Sequence, residues 1–349
     1  METHRWLLPV SWLYGLGVGA RNLLYDSGVL ATHRFGLPII TVGNLAVGGT
    51  GKTPHTEHLI RLLSQQWHVA VLSRGYKRRS HGYVLANDSS TALDIGDEPF
   101  QMKRKFGGID VAVDADRCHG IEQLLATVKP QVILLDDAFQ HRRLTPGLSI
   151  LLLEHDRLGG DLLLPAGRLR EPMGAMKRAH LIVVTKCPPT MSSDDMEAIR
   201  QRLTLLPHQR LHFSTIDYET PVDATGTPAP LQRDTSVLLI TGIAHPRPLH
   251  DWLVGQARQV VHLAYGDHHH FTASDIDRIN TTFGALPAPA IVMTTEKDAA
   301  RLTAAKGLSS NVQHKLHRAP IHVRFLDGDA FDQEVLQFVR TSQPTPKNL

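Results

Sequence analysis

The chain has 349 residues, of which 42% are hydrophobic and 20% are charged. This ordinary globular composition supplies enough apolar material for two cores and predicts two α/β domains. The formal net charge is only +3, and the two cysteines, Cys118 and Cys187, stand in unrelated sequence contexts. A disulfide framework and a paired-cysteine metal site are therefore both excluded, as is typical of a protein from a reducing compartment.

The first 25 residues form an apolar segment with Arg5 and Arg21 at its ends. Residues 18–20 are similar to a signal-peptidase site, but the phosphate-binding motif described below argues against secretion. The segment is too short for a membrane span, which needs roughly 20 apolar residues. Its Trp and Tyr side chains are typical of an amphipathic helix lying in the surface of one leaflet, and the alternative is a buried N-terminal helix.

Six short apolar runs predict buried strands, at 38–42, 69–72, 111–113, 132–135, 150–153 and 181–184. These runs are continuous and not alternating, which indicates a sheet covered by helices on both faces. Amphipathic stretches such as 53–63 and 116–128 lie between them. The pattern predicts a doubly wound, mostly parallel sheet over residues 26–205.

Composition changes at residues 206–235, where Pro, Thr, Ala and Gly become frequent, so this segment is interpreted as a linker. One run inside it, 212–216, has the character of a strand. Alternation of strands and helices then resumes, with strand candidates at 236–241, 260–264, 290–293 and 321–325. We expect a second, smaller α/β domain over residues 236–349, preceded by an N-terminal helix (1–25) and the larger domain.

A glycine-rich segment, residues 46–53, follows the first predicted strand and precedes a predicted helix. Its position predicts a P-loop, in which backbone N–H groups surround phosphate oxygens at a helix N-terminus. In such a loop Lys52 neutralises the β- and γ-phosphates and the Thr53 hydroxyl binds Mg²⁺. Ala46 replaces the usual first glycine. The predicted nucleotide-binding residues are Gly48, Gly49, Thr50, Gly51, Lys52 and Thr53.

A P-loop requires an acidic partner at the end of a neighbouring strand. The apolar run 132–135 ends in Asp136 and Asp137, one of which is expected to hold Mg²⁺ directly or through water. The sequence leaves open which of the two does so. Together the two motifs predict a P-loop NTPase-like domain.

Several blocks in a fixed order resemble the tetraacyldisaccharide 4′-kinase family, the lipid A 4′-kinases. They span most of residues 38–300, and the family usually has Gly where this chain has Ala138. The blocks are Val42–Asn44 with the loop through Pro54, Ser73–Tyr76, Gly96–Pro99, Asp136–His141, Leu164–Pro172, Asp267–His269 and Thr295–Asp298.

The resemblance implies an ATP- and Mg²⁺-dependent enzyme that phosphorylates the 4′-hydroxyl of a disaccharide 1-phosphate carrying four acyl chains. It also implies a peripheral protein on the cytoplasmic face of the inner membrane, with the active site in a cleft between two α/β domains. The partners expected are the acylated lipid and, through the N-terminal helix, the membrane surface. No nucleic acid and no obligate protein partner are expected.

Asp97 resembles the family aspartate that acts as general base near the attacking hydroxyl. Its alternative role is that of a helix N-cap. His268 resembles the histidine that pairs with this aspartate, although the adjacent His269 leaves the choice between the two open. A metal site built from these consecutive histidines is disfavoured, because neighbouring side chains in an extended chain point to opposite faces.

Further roles are implied by the resemblance. Arg117 would stabilise charge on the transferring phosphoryl group, or else form a salt bridge to Asp114 or Asp116. The other expected contacts are Gln140 and His141 to substrate or metal-bound water, Glu171 to Mg²⁺ or substrate, and Arg74 to the anionic lipid headgroup. For Glu171, the alternative is a helix start fixed by Pro172.

Two other function classes fit the P-loop. A kinase of a soluble small molecule would not need an apolar, Trp-containing N-terminus. A nucleotide-gated switch such as a metallochaperone GTPase requires a base-reading Asn-Lys-x-Asp segment, and Val184–Cys187 begins like one but lacks the Asp. A preference for GTP would favour the switch.

Overall fold

The computed structural model describes residues 4–267 and 269–343. These residues form two compact units. The first unit contains the described residues up to Thr215 and from Val323 onward, and the second contains Ile216–His322.

Over the described residues, strands and helices alternate along most of the chain. The strands are β1 (Ile39–Asn44), β2 (Val69–Ser73), β3 (Val84–Leu85), β4 (Asp110–Val113), β5 (Val132–Asp136), β6 (Leu148–Glu154), β7 (Leu181–Thr185), β8 (Arg210–Tyr218), β9 (Ser236–Thr241), β10 (Gln259–Ala264), β11 (Ala290–Thr295), β12 (Leu316–Ala319) and β13 (Ile321–Phe325). The α-helices are α1 (Leu8–Asp26), α2 (Lys52–Leu63), α3 (Ala92–Ile95), α4 (Asp97–Lys105), α5 (Arg117–Thr127), α6 (Ser193–Leu203), α7 (Arg247–Val254), α8 (Ala273–Gly284), α9 (Glu296–Ala304), α10 (Ser310–His314) and α11 (Ala330–Ser342). Short 3₁₀ helices cover Arg5–Leu7, His155–Arg157 and Met173–Arg178.

In the described part of the chain, the large sheet has nine strands in the order β13-β8-β7-β6-β1-β5-β2-β4-β3. Strands β4, β2, β5, β1, β6, β7 and β8 are parallel to their neighbours in this order, and the short β3 is antiparallel to β4. The predicted doubly wound parallel sheet is therefore confirmed. Its central strands are buried along their whole length, as expected for a sheet with helices on both faces.

The register of β1 and β5 positions the two phosphate-site motifs. The two strands are parallel neighbours, and Val42 lies opposite Asp136. The carboxyl ends of both strands therefore meet at one edge of the sheet. This edge is where ligands bind in open α/β sheets.

The second unit contains a sheet with four parallel strands in the order β10-β9-β11-β12 among the described residues. Its bounds differ from those expected in two places. Strand β8 occupies part of the expected linker, and the described residues from Val323 onward belong to the first unit. In the first unit, Phe325 stacks on Phe331 with ring centroids 4.1 Å apart, and both side chains are buried there.

Candidate active site

The P-loop leads from β1 into α2, as predicted. Gly51 has φ of +89°, a conformation that favours glycine, and α2 starts at the next residue, Lys52. Asn44 at the end of β1 donates a hydrogen bond from Nδ2 to the Thr50 hydroxyl at 2.7 Å. Thr185 at the end of β7 donates from its hydroxyl to the Thr50 carbonyl at 2.9 Å, so Thr50 in the loop is held by the ends of β1 and β7.

The segment from Leu162 to Glu171 lies against the P-loop. The backbone N–H of Val47 donates to the Arg168 carbonyl at 2.8 Å, and that of Arg170 donates to the Leu45 carbonyl at 2.7 Å. The buried guanidinium of Arg168 returns two hydrogen bonds to the Val47 carbonyl, at 2.8 and 3.0 Å. No role for Arg168 could be predicted from the sequence, although this residue lies in a block that resembles the kinase family.

The acidic pair lies beside the P-loop lysine. Lys52 Nζ is 3.7 Å from Asp137 Oδ1, and Arg170 donates to both Asp137 oxygens at 3.0 and 3.1 Å. Asp136 is buried, with the hydroxyls of Thr56 and Ser73 at 3.4 Å. Burial, reinforced by the neighbouring Asp137 carboxylate, raises the pKa of Asp136 to about 6. The site thus combines one cation-paired carboxylate with one that lacks a close cationic hydrogen-bond partner among the described residues.

Arg117 forms neither of the salt bridges that were considered. Its buried guanidinium donates to the backbone carbonyl of Asp114 at 2.6 Å. The carboxylate of Asp114 instead lies 2.6 Å from the His119 ring. The carboxylate of Asp116 pairs with Arg143. Burial lowers the pKa of Arg117 to about 10, and the carboxylates of the acidic pair oppose this shift. Arg117 therefore lies close enough to the acidic pair for its charge to interact with both carboxylates.

Asp97 is the first residue of α4 and is not its N-cap. The N-cap is Gly96, whose φ is +95°. Its α-carbon packs against Gly75 and Tyr76, and a Cβ added there would lie 3.1 Å from the Tyr76 carbonyl oxygen. The half-buried Asp97 therefore follows a turn packed on the segment that contains Arg74. The adjacent Glu98 contributes to raising the pKa of Asp136, which relates the start of α4 to the acidic pair.

Both polar atoms of the Gln140 side-chain amide have hydrogen-bond partners. Its Nε2 donates to the Asn44 carbonyl at 2.8 Å, and Arg170 Nη1 lies 3.4 Å from its Oε1. His141 has a buried Nε2 with no hydrogen-bond partner within residues 4–267 and 269–343. Burial lowers the pKa of His141 to about 4. The expected contacts of Gln140 and His141 with substrate stay predictions.

Glu171 is buried and its carboxylate accepts hydrogen bonds from Asn22 and Arg178. Pro172 is the N-cap of the following 3₁₀ helix, Met173–Arg178. Both carboxylate oxygens of Glu171 thus already have protein partners. Its predicted contact with Mg²⁺ or substrate stays a prediction.

Two buried titratable residues of α2, His55 and Glu57, were not predicted from the sequence to have a role. His55 Nδ1 lies 2.7 Å from the Gly51 carbonyl oxygen. Because a carbonyl oxygen can only accept a hydrogen bond, Nδ1 carries the proton. His55 Nε2 then accepts a hydrogen bond from the Ser214 hydroxyl at 3.0 Å. Burial lowers the pKa of His55 to about 4. Glu57, 1% exposed, accepts from Gln101 on α4 at 2.7 Å. Both follow the P-loop closely, but nothing in the local sequence distinguishes them from solvent-facing helix residues.

His268 lies outside the described residues. In the second unit, His269 Nε2 lies 2.8 Å from Asp275 Oδ2, and its ring stacks on Tyr265 with centroids 4.7 Å apart. Asp275 belongs to the capping box of α8, where its carboxylate accepts from Thr272. His269 therefore has a structural role that explains its presence beside His268.

Helix α1 contacts the segments that contribute to the site. Ser11 and Tyr14 donate to the backbone carbonyls of Leu163 and Arg170, at 3.0 and 2.9 Å. Arg21 donates to the Gln140 carbonyl. No helix within the described residues has the length and apolarity required to cross a bilayer.

The outward side of α1 and the turn before it is apolar. Large hydrophobic side chains there are at least two-thirds exposed, namely Trp6 (77%), Trp12 (69%), Leu13 (70%), Leu16 (70%) and Leu23 (67%). An exposed apolar patch of this kind is typical of an interaction surface.

Comparisons with known proteins agree with this geometry. A curated tetraacyldisaccharide 4′-kinase from Bacteroides thetaiotaomicron is 48% identical over 97% of this chain and 94% of its own length. The corresponding protein from Flavobacterium johnsoniae is 44% identical over 96% of each chain. The crystal structure of the apo form of LpxK from Aquifex aeolicus in complex with ATP superposes with a TM-score of 0.75 at 26% identity, covering 96% of this chain and 99% of that one. Residues 3–340 match the family model described as LpxK, tetraacyldisaccharide-1-P 4′-kinase, and the chain therefore belongs to this kinase family.

Proposed function

We propose that this kinase transfers the γ-phosphoryl group of ATP to the 4′-hydroxyl of a tetraacylated disaccharide 1-phosphate in lipid A biosynthesis, with Asp97 as the base. The observation that carries the proposal is the meeting of the P-loop with the acidic pair: Lys52 Nζ is 3.7 Å from Asp137 Oδ1, at the edge where β1 and β5 end. Phosphoryl transfer depends mainly on such positioned charges.

ATP binding is supported by the fixed P-loop and by the relative from Aquifex aeolicus, whose structure is a complex with ATP. The backbone N–H groups of residues 48–51 and the N-terminus of α2 would bind the phosphates. Lys52 and Arg117 would neutralise charge on the transferring group. Arg168 would stabilise the loop through its hydrogen bond to the Val47 carbonyl.

The oxygen donors fit Mg²⁺, which prefers carboxylate and hydroxyl ligands. We assign Thr53 and the acidic pair to the ion, and Asp136 as the carboxylate nearer to it, because Asp137 is already paired with Lys52 and Arg170. The raised pKa of Asp136 indicates a carboxylate that a nearby cation would stabilise. When bound, the ion would neutralise phosphate charge.

Asp97 would orient the sugar hydroxyl and accept its proton. Its position at the start of α4, beside the turn that contains Arg74, supports this role. In a loose transition state the proton leaves late, so orientation contributes as much as basicity. We retain His268 as the residue that assists Asp97, on the resemblance alone.

The lipid substrate suits a peripheral protein at the cytoplasmic face of the inner membrane. The exposed Trp and Leu side chains of α1 support contact with a leaflet surface. The opposite side of α1 contacts segments that contain Gln140 and Arg170. The same helix would thus contact both the membrane and the site.

The test is transfer of ³²P from γ-labelled ATP to purified disaccharide 1-phosphate lipid in detergent. We expect Mg²⁺-dependent transfer by the wild type and a loss of about 10²- to 10⁴-fold in Asp97→Asn. Asp88→Asn, a fully exposed carboxylate paired only loosely with Lys103 at 3.7 Å, is the matched control and should retain activity.

Transfer that survives in Asp97→Asn would keep the kinase and move the base elsewhere. Absence of transfer by a folded wild type that still binds ATP would contradict the proposed substrate. Competition by GTP stronger than by ATP would favour the nucleotide-gated switch.

A further inference from the structure

Three side chains of different chemistry converge beside the phosphoryl-transfer site. Asp116, Cys118 and His141 each place one ligand atom within 4.8 Å of the others. Asp116 and Cys118 lie at the start of α5, and His141 lies in the loop that follows β5. The group therefore connects two segments that are far apart in sequence.

The donor set is one oxygen, one sulfur and one nitrogen. Mg²⁺ takes oxygen ligands only, so this group is chemically distinct from the oxygen donors of the P-loop site. Zn²⁺ accepts all three donor types and keeps tetrahedral ligands roughly 3.5 Å apart. The ligand atoms of Asp116, Cys118 and His141 lie within 4.8 Å of one another. Small side-chain movements would therefore bring them to that spacing.

Two of the three donors lack strong partners. Nε2 of His141 is buried without a hydrogen-bond partner in the described part of the chain. The Cys118 thiol is 2% exposed and has only a weak contact with the Arg143 carbonyl, at 3.9 Å. A buried polar atom without a partner is costly, and a bound cation would remove that cost.

The third metal-ligand candidate, Asp116, lies where a cation could reach the group from solvent. Oδ1 of Asp116 accepts the backbone N–H groups of Cys118 and His119, and Oδ2 pairs with Arg143 at 2.8 Å. The side chains of Asp116 and Arg143 are 41% and 50% exposed. An ion pair this exposed contributes little, so Arg143 can give way to a cation at Oδ2.

We propose that Asp116, Cys118 and His141 bind one zinc-type divalent cation, with water as the fourth ligand. The ion would fix the start of α5 to the loop after β5. Arg117 lies between two of the ligands and Gln140 precedes the third. A bound ion would therefore restrict the movement of Arg117 and Gln140. The consequence for phosphoryl transfer rests on the proposed function, whereas metal binding itself does not.

The probe is Co²⁺, titrated into the untagged, nucleotide-free full chain, because a cobalt–thiolate bond gives a near-ultraviolet charge-transfer band. We expect one equivalent to produce the band in the wild type and in the control Cys187→Ser, the other buried cysteine. Cys118→Ser should lack the band. Asp116→Asn, which can still cap α5, should need at least about tenfold more Co²⁺.

Stability provides the second measurement, since a ligand that binds only the folded state raises Tm. Zn²⁺ should raise the Tm of the wild type and of Cys187→Ser more than that of Asp116→Asn at equal metal concentration. A band that persists in folded Cys118→Ser overturns the proposal. Should Cys118→Ser fail to fold, equal Co²⁺ affinity and equal Tm shifts in Asp116→Asn and wild type overturn it.

Discussion

The carboxylate of Glu57 on α2 lies 2.8 Å from the ammonium group of Lys105 on α4. Glu57 is 1% exposed, so this ion pair is desolvated on the acidic side. Helix α2 begins at Lys52 and α4 begins at Asp97. A buried charge pair thus connects the helix of the phosphate-binding lysine to the helix of the proposed base.

Replacing Glu57 by Gln should lower kcat on the order of tenfold, with a smaller change in KM for ATP. The substitution keeps the shape of the side chain but removes the carboxylate that pairs with Lys105 at 2.8 Å. We expect α4 to shift relative to α2, and small misplacements of reacting groups are costly. Steady-state kinetics of lipid phosphorylation measure both constants. Glu197→Gln, on the exposed surface of α6, is the control; equal kcat values in the two variants would refute the positioning role.

Stability should fall as the pH decreases because of His55. The ordinary pKa of histidine is 6.5 and that of folded His55 is about 4, so between these values the unfolded chain binds a proton that the native chain does not. Its contribution is complete above pH 6.5 and is lost progressively toward pH 4, at about 1.4 kcal/mol per pH unit, or on the order of 3 kcal/mol in all.

Urea unfolding of wild type and His55→Gln between pH 7 and pH 4.5 measures this effect. The difference between the two free energies of unfolding should shrink as the pH falls. His81→Gln, at an exposed position, should retain the wild-type pH dependence. A constant difference between wild type and His55→Gln would mean that His55 does not titrate in this range.

The two acidic residues should have separable effects. Asp136→Asn should raise the Mg²⁺ concentration needed for half-maximal activity by about 10- to 100-fold. Asp137→Asn removes the partner of Lys52 and Arg170 and should act mainly on kcat at saturating Mg²⁺. Mg²⁺ titrations of the transfer rate distinguish the two. The opposite pattern would assign the direct contact to Asp137.

The adjacent histidines should also differ. His269 is bonded to Asp275 and stacked on Tyr265, so His269→Ala should lower Tm with a modest effect on kcat. His268→Ala should lower kcat by about 10²-fold. Thermal unfolding and kinetics of both variants decide the assignment, and a reversed pattern would place the assisting role on His269.

The apolar side of α1 should govern lipid binding. Replacing Leu13 and Leu16, each 70% exposed, by Ser should weaken co-sedimentation with anionic phospholipid vesicles by at least about 100-fold if both side chains are fully buried in the leaflet, because each buried Leu contributes about 1.5 to 3 kcal/mol. Leu93→Ser, at a position 52% exposed on α3, is the control. Unchanged vesicle binding in the double variant would contradict the leaflet contact.

Much of the fold could be predicted from the sequence because its signals are local. The strand–loop–helix context of Lys52 and the acidic end of β5 are each contained within a few consecutive residues. Continuous apolar runs such as 150–153 predict buried parallel strands regardless of distant partners. The kinase family could be recognised from the order of these local blocks.

Other features depend on contacts between distant segments and were not predictable. Arg168 supports the P-loop 121 residues away, and Glu171 is bound by Asn22 at a separation of 149 residues. The run 321–325 was correctly predicted to be a strand but was placed in the second domain, whereas it joins the edge of the large sheet. Strand propensity does not specify which sheet a strand joins.

The placement of β13 has a consequence for synthesis on the ribosome. The chain leaves the first unit through β8 and returns through the neighbouring β13, so the second unit is complete in sequence before the first. His58 on α2 lies 2.6 Å from Asp332 on α11, a residue translated after the whole second unit. This side of the P-loop helix can therefore be covered only after the second unit has been translated, and a nascent chain that stops before α11 would leave it exposed.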